Sequence, residues 1–228
     1  SVLPYLRRKH GMNGVIHHRV LKVCGVGESW VDSKMGDLMA QLENPKIGVL
    51  ASPDVVRIRI SARADSVEAA ECMIDEVDAK VRARLPGLIM GVNDETLEGV
   101  LSELFDERGW TLAVLETFTG GMVAQRLTAA GFKRFAGGLV ERIELPAGSD
   151  LKSAALAKAE RARAMFRADC GLGTATSLDE KVVHVAFVTP AGTAHWDGRF
   201  PAVDALWQLR AAIICLERMR RSMIEGTR

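Results

Sequence analysis

The sequence predicts an α/β protein: a small α+β domain over residues 1–90, then a three-layer α/β/α domain with a mixed sheet over residues 91–228. Three observations predict it. The apolar period switches repeatedly between two residues and about 3.6 along the chain, as strands and helices alternate. "LPG" at 85–87 interrupts that alternation and places a boundary near residue 90. "TPAG" at 189–192 reads as a hairpin between two strands, so a sheet otherwise joined through helices must be mixed.

In the first domain, "RVLKVC" (19–24) reads as a short strand. "GVGES" turns it into a helix with Ser29 as N-cap and Asp32 three residues on, a capping box. Val31, Met35, Leu38 and Leu42 fall at helical spacing until "NP" at 44–45. In "VVRIRISA" (55–62), Val56, Ile58 and Ile60 face one way and Arg57 and Arg59 the other, a strand with one wet face. Asp65 with Glu68 opens a helix whose stripe is Val67, Ala70, Ile74, Val77 and Val81.

The second domain begins with a helix whose core face is Leu97, Val100, Leu101, Leu104 and Phe105, stopped by Gly109. The strand "WTLAVLE" and the helix "GGMVAQRLTAAG" follow. "FAGGLVERIEL" (135–145) reads as a second strand, and an Ala-rich helix covers about 151–168. "CGLGTAT" is a short buried strand or loop, the hairpin comes next, and Val203, Leu206, Leu209, Ile213 and Leu216 mark a terminal helix.

Composition excludes several classes. The net charge of +1 gives no overall field for nucleic acid, membranes or acidic partners. No apolar run approaches the roughly 20 residues of a membrane span. "SVLPYLRRKH" has no apolar segment after its basic residues, so no signal peptide is expected. Cys24, Cys72, Cys170 and Cys215 are far apart without a C-x-x-C pair, which predicts free, mostly buried thiols in a reducing, cytoplasmic setting. Neither a metal site nor a cofactor is expected, and His184 and His195 on the hairpin read as structural.

The chemistry concentrates in "LAVLETFTGG". A helix starting at Gly120-Gly121 offers unpaired N–H groups and the positive end of its dipole, and two glycines let an anion approach. Thr117 and Thr119 place hydroxyls there, and Glu116 is positioned to orient a ligand or accept a proton. The same residues also fit a plain strand-to-helix turn with Thr119 as N-cap.

"TLAVLETFTGGMVAQRLTAAGFKRFAGGLV" resembles the CinA family, the competence/damage-inducible proteins. "RVLKVCGVGESWVDSKMGDL", "NPKIGVLASPDVVRIRISARA" and "VNDETLEGVLSELFDERG" resemble that family's small, KH-like middle domain and the segment after it. "FVTPAGTAHWDGRFPAVDALWQLRAAIICL" resembles its closing hairpin and last helix. Full-length members begin with a molybdopterin-biosynthesis-like domain that has no counterpart before Ser1, so its chemistry is not assigned to this sequence.

The resemblance implies a nicotinamide-nucleotide amidase domain, in which a serine, with a tyrosine and a lysine nearby, cleaves the carboxamide of nicotinamide mononucleotide. The serine position is Thr117, whose extra methyl crowds the attack path. Arg142 stands at the tyrosine and Ala147 at the lysine, with Lys152 five residues beyond. Arg142 stays protonated and cannot act as a base. A "T-G-x-A-G-P" loop expected after the buried strand is absent from "GLGTATSLDEK". The expectation is a domain with weakened or lost hydrolysis. Its remaining ligand pocket is formed by Glu116, Thr117, Thr119, Gly120 and Gly121, with Gly137, Gly138 and Arg142 alongside.

A pyridine nucleotide is the expected ligand and a homo-oligomer the expected assembly. An active amidase with Thr117 as nucleophile and a non-enzymatic scaffold remain as alternatives. Nucleic acid is not expected: Arg57, Arg59 and Arg63 form a basic strip, but a KH reader clamps the backbone with G-x-x-G. "CGVGES" has the wrong spacing, and the strip reads as a solvated face paired with Asp or Glu.

Overall fold

The computed structural model describes residues 14–142 and 144–226. The amino-terminal stretch expected to lack a signal peptide lies outside them. The chain divides into one unit ending at Asp94 and a second starting at Glu95.

The first unit runs β1 (Val15–Val23), α1 (Glu28–Gln41), β2 (Lys46–Ala51), β3 (Val56–Ala64), α2 (Val67–Arg84) and β4 (Ile89–Val92). Its sheet is antiparallel in the order β2-β3-β1-β4. The alternation read in β3 holds: Ile58 and Ile60 are fully buried and Arg59 is exposed. With Leu21 and Val23 they pack against Met35 of α1 and Ile74 and Val81 of α2. Each such side chain contributes about 1.5–3 kcal/mol on leaving water.

Three details differ from the expectation. The sheet has two further strands, because β2 follows the Asn44-Pro45 break and β4 is only four residues long. Gly27, with no side-chain cap, precedes α1, so Ser29 lies inside the first turn rather than capping it. Ser66, not Asp65, caps α2 by accepting from Ala69 N, which leaves Val67 40% exposed at the helix start.

The second unit runs α3 (Leu97–Arg108), β5 (Leu112–Glu116), α4 (Met122–Ala129), β6 (Phe135–Val140), α5 (Leu151–Phe166), β7 (Cys170–Ser177), β8 (Val182–Thr189), β9 (Gly192–Arg199) and α6 (Ala205–Glu225). The sheet order is β6-β5-β7-β8-β9. Its first three strands are parallel, and the β8–β9 hairpin adds antiparallel to β7. Thr96 caps α3, and Gly109 ends it at φ 67°, a left-handed position that suits glycine.

Helix α5 covers one face, where Leu151, Ala155 and Ala159 meet Ala175, Ala186 and Val188. By the two-residue strand period Phe187 points the other way, where its ring lies beside that of Phe105 on α3. Helices α3 and α4 both pack on α6. The result is the expected three layers. On α6 the apolar stripe begins later than predicted: Val203 precedes the helix, and Val203 and Leu206 are 56% and 42% exposed.

The contact between α5 and β7 is unusually close. A Cβ on Gly173 would lie 2.2 Å from Ala155 O, and one on Gly171 would lie 2.1 Å from Ala159 O. Alternate glycines on the strand and alanines one turn apart on the helix permit that approach.

Asp169 ties the entrances of β5 and β7. Its carboxylate accepts from Thr111 N and Oγ1, both at 2.8 Å, and its own N donates to Thr111 Oγ1. These bonds, the side-chain one first, hold its carboxyl below the usual range. A depressed folded pKa contributes stability above the unfolded value that is lost as pH falls through the folded one. Asp169→Asn is therefore expected to flatten the acid limb of stability below about pH 4. Urea midpoints at several pH values check this, and parallel wild-type and variant curves would contradict it.

Candidate functional site

β5 ends at Glu116, and five residues carry the chain into α4. Gly120 and Gly121 take φ of 63° and 93°, so this turn requires glycine or a strained substitute. Gly121 is the N-cap and supplies no side-chain bond.

The cap comes instead from Glu116. Its Oε2 accepts from Val123 N at 3.0 Å and its Oε1 from Ala124 N at 2.8 Å, with the residue fully buried. A carboxylate here satisfies two orphan N–H groups and meets the positive end of the helix dipole. The sequence leaves two readings for this place, an outside anion at the helix mouth or a plain turn capped by Thr119. The chain's own acid fills it. Thr119 is fully buried, and its Oγ1 finds no hydrogen-bond partner among the described residues.

Thr117 stands at the wall of a cleft of about 350 Å³, lined also by Phe118, Gly120, Arg142, Thr176 and Gln208. Its backbone N donates to Thr174 Oγ1 at 2.7 Å. Its Oγ1 lies 3.2 Å from Thr174 O, 3.0 Å from Thr174 Oγ1 and 2.9 Å from Thr176 Oγ1. Every partner is a carbonyl or hydroxyl oxygen. Such groups orient a hydroxyl but do not take its proton near neutral pH.

Lys152 sits in the first turn of α5, where its charge acts on His184 and His195. Those histidines approach each other at 3.4 Å, and burial lowers the pKa of both. Burial also pushes the Cys170 thiol up to about 12 and raises that of Cys215, so neither offers a ready thiolate.

The cleft mouth is charged. Glu141 is held by Lys158 Nζ at 2.7 Å and Arg161 Nη2 at 2.6 Å, which lower its carboxyl pKa, Lys158 foremost. Arg142 is exposed and makes no ion pair or hydrogen bond with the described residues, and Glu144 shares the rim. Gln208 reaches from α6, and a Cβ on Gly120 would come within 3.1 Å of its Nε2.

Of the expected site residues, the structure brings Thr117, Gly120 and Arg142 to the cleft. Glu116 and Thr119 turn inward, and Gly121 sits against Val140, 3.1 Å from where its Cβ would stand. Gly137 and Gly138 serve packing: side chains there would strike the Phe166 ring at 2.3 Å and Val114 at 2.8 Å. Thr174, Thr176 and Gln208 were not anticipated. The T-A-T alternation in β7 signals two hydroxyls on one strand face, whereas nothing local marks Gln208. Among the described residues no group of three or more His, Cys, Asp or Glu side chains could hold a metal ion. No described helix is long and apolar enough to cross a membrane.

Residues 18–91 match the family model described as the damage-inducible protein CinA KH domain. The chain is 32% identical over 250 residues to a CinA-like protein of Frankia casuarinae, covering 98% of this chain and 58% of that protein. It is 40% identical over 126 residues to a CinA-like protein of Dictyoglomus thermophilum, covering 55% of this chain and 30% of that one. It thus spans only part of the length of these relatives. A crystal structure of a competence-damaged protein (CinA) superfamily protein from Enterobacter cloacae is similar at 18% identity and a TM-score of 0.48, over 57% of this chain and 95% of that one.

Proposed function

The chain belongs to the CinA family, and from that premise we propose that its second unit is an amidase-like domain that keeps a ligand cleft while its hydrolysis is weakened or lost. The ligand is a pyridine nucleotide of the nicotinamide mononucleotide type. One observation carries the reading: the oxygen partners of Thr117 Oγ1 all belong to Thr174 and Thr176. Amide cleavage by a hydroxyl needs a group that accepts its proton and later returns one to the departing ammonia. A carbonyl and two hydroxyls do neither, and loss of a nucleophile's activator typically costs orders of magnitude in rate.

The cleft suits retention of a ligand. Its volume of about 350 Å³ falls in the range of small-molecule sites. Arg142 offers a fork of donors to a phosphate, and the Gln208 amide can both donate to and accept from a carboxamide.

Two measurements on the full chain test this. Ammonia release from nicotinamide mononucleotide is expected to be negligible and unchanged in Thr117→Ala; turnover that disappears with that substitution would establish the active amidase instead. Nicotinamide mononucleotide is expected to raise the melting temperature. Arg142→Ala should weaken that binding about tenfold, the worth of one charge-assisted contact. If no pyridine nucleotide shifts the melting temperature, the scaffold reading replaces this one.

A further inference from the structure

The strand register of the first unit assembles a surface that the linear sequence shows only in part. Directly opposed residues of antiparallel strands share a face. Arg57, Arg59 and Arg63 of β3 therefore stand beside Lys22, Val20 and Ile16 of β1, and Ser61 stands beside His18. On the other flank Ser61 meets Lys46 and Arg57 meets Leu50 of β2. Both helices pack on the opposite side, against Leu21, Ile58 and Ile60. The outer face stays open, with Ile16 70% and Leu50 67% exposed.

No Asp or Glu occupies any position on this face over 16–22, 46–50 or 57–63. The expected pairing of the basic strip with acids does not occur: Lys46, Arg59 and Arg63 make no ion pair among the described residues. Arg57 donates to the Ser52 hydroxyl, which in turn donates to Asp54. The other described arginines of the unit are paired. Arg19 and Arg82 both bind Asp78, and Arg84 binds Asp37. The acids that pair them, Asp37 and Asp78, stand on α1 and α2, which pack on the opposite side from the open face.

We propose that this open sheet face binds single-stranded nucleic acid through its phosphate backbone. Alternate residues of β3 place cations about 6.6–6.8 Å apart, commensurate with successive phosphates of an extended strand. Neighbouring strands add cations about 4.8 Å to either side. Arginine forks match phosphate oxygens, and Ile16 and Leu50 give apolar ground for base faces. With no Phe, Tyr or Trp on the face and His18 the one ring that β1–β3 place there, stacking contributes little and sequence preference is weak. The flat face presents no element that enters a duplex groove, which favours a single strand. This mode differs from a G-x-x-G clamp, a spacing that Gly25 and Gly27 in the turn before α1 do not have.

The test is fluorescence anisotropy of a labelled oligo-dT of about twelve nucleotides with the full chain. Contacts to three or four phosphates predict log K falling with log salt at a slope of about −2 to −3. Arg59→Glu with Arg63→Glu should weaken binding at least tenfold. Lys34→Glu with Lys80→Glu, on the helices and equal in net charge change, should weaken it less than threefold. Circular dichroism establishes that both variants are folded, and Arg59→Gln with Arg63→Gln repeats the measurement without charge reversal. Absence of binding at low salt, equal losses in the two double variants, or equally tight binding of poly-glutamate would each overturn the proposal.

Discussion

Gly173→Ala is expected to destabilise the second unit by about 3 kcal/mol or more, at the upper end of the overpacking range. The added methyl would lie 2.2 Å from Ala155 O and 2.4 Å from Ala159 N. These are backbone atoms of α5, so no side-chain rotamer relieves the clash. The helix has to lift from β7, a central strand whose residues are all buried, and that separates it from Ala175 and Ala186 as well. Three of the four tryptophans, Trp110, Trp196 and Trp207, lie in this unit and Trp30 in the other, so tryptophan fluorescence during urea unfolding reports chiefly on it. Gly48→Ala is the control: nothing stands within 4 Å of its Cβ position. An unchanged midpoint for Gly173→Ala would refute the close packing.

The second large effect concerns α6. Glu217 and Arg220 are 3% and 5% exposed, and Arg220 Nε and Nη2 each donate to a Glu217 oxygen at 2.8 Å. Arg220→Met leaves the carboxylate buried without that partner, a change that costs about 3–5 kcal/mol. Replacing both residues, with Glu217→Leu added, should recover most of the loss, because burying the pair is itself costly.

The pH dependence identifies the carboxylate as the source. Burial raises the Glu217 pKa, against the opposing pull of Arg220. A raised folded pKa means that this group's contribution is complete below its unfolded pKa and declines as pH rises through the folded one. Without Arg220 the decline is larger, so the variant's deficit should grow from about pH 4 upward and shrink in acid. A deficit that is constant with pH would assign the loss to packing alone.

Much of the fold was legible because its signals are local. The Arg–Ile alternation of β3, the Gly109 stop and the Pro190-Ala191 hairpin each depend on a few adjacent residues. Strands β2 and β4 were missed for the same reason: short strands beside a proline break or a turn carry too few periods to register. Ser29 was misread because a Ser-x-x-Asp pattern looks the same one turn inside a helix as at its cap.

The site was legible in position but not in wiring. "ETFTGG" marks where strand becomes helix, yet which of Glu116, Thr117 and Thr119 faces the cleft depends on how the chain folds back. The partners of Thr117 lie 57 and 59 residues away. The acid-free sheet face was likewise hidden, since Lys22 and Lys46 join the arginines only through strand pairing.

The Glu116 carboxylate has one further consequence. Because a tethered anion already quiets the mouth of α4, the turn keeps its shape in an empty protein and needs no visitor to organise it. Occupancy of the cleft then spends little entropy on ordering main chain. On the proposed reading its selectivity falls to Arg142 and Gln208, which line the cleft and are not part of the turn.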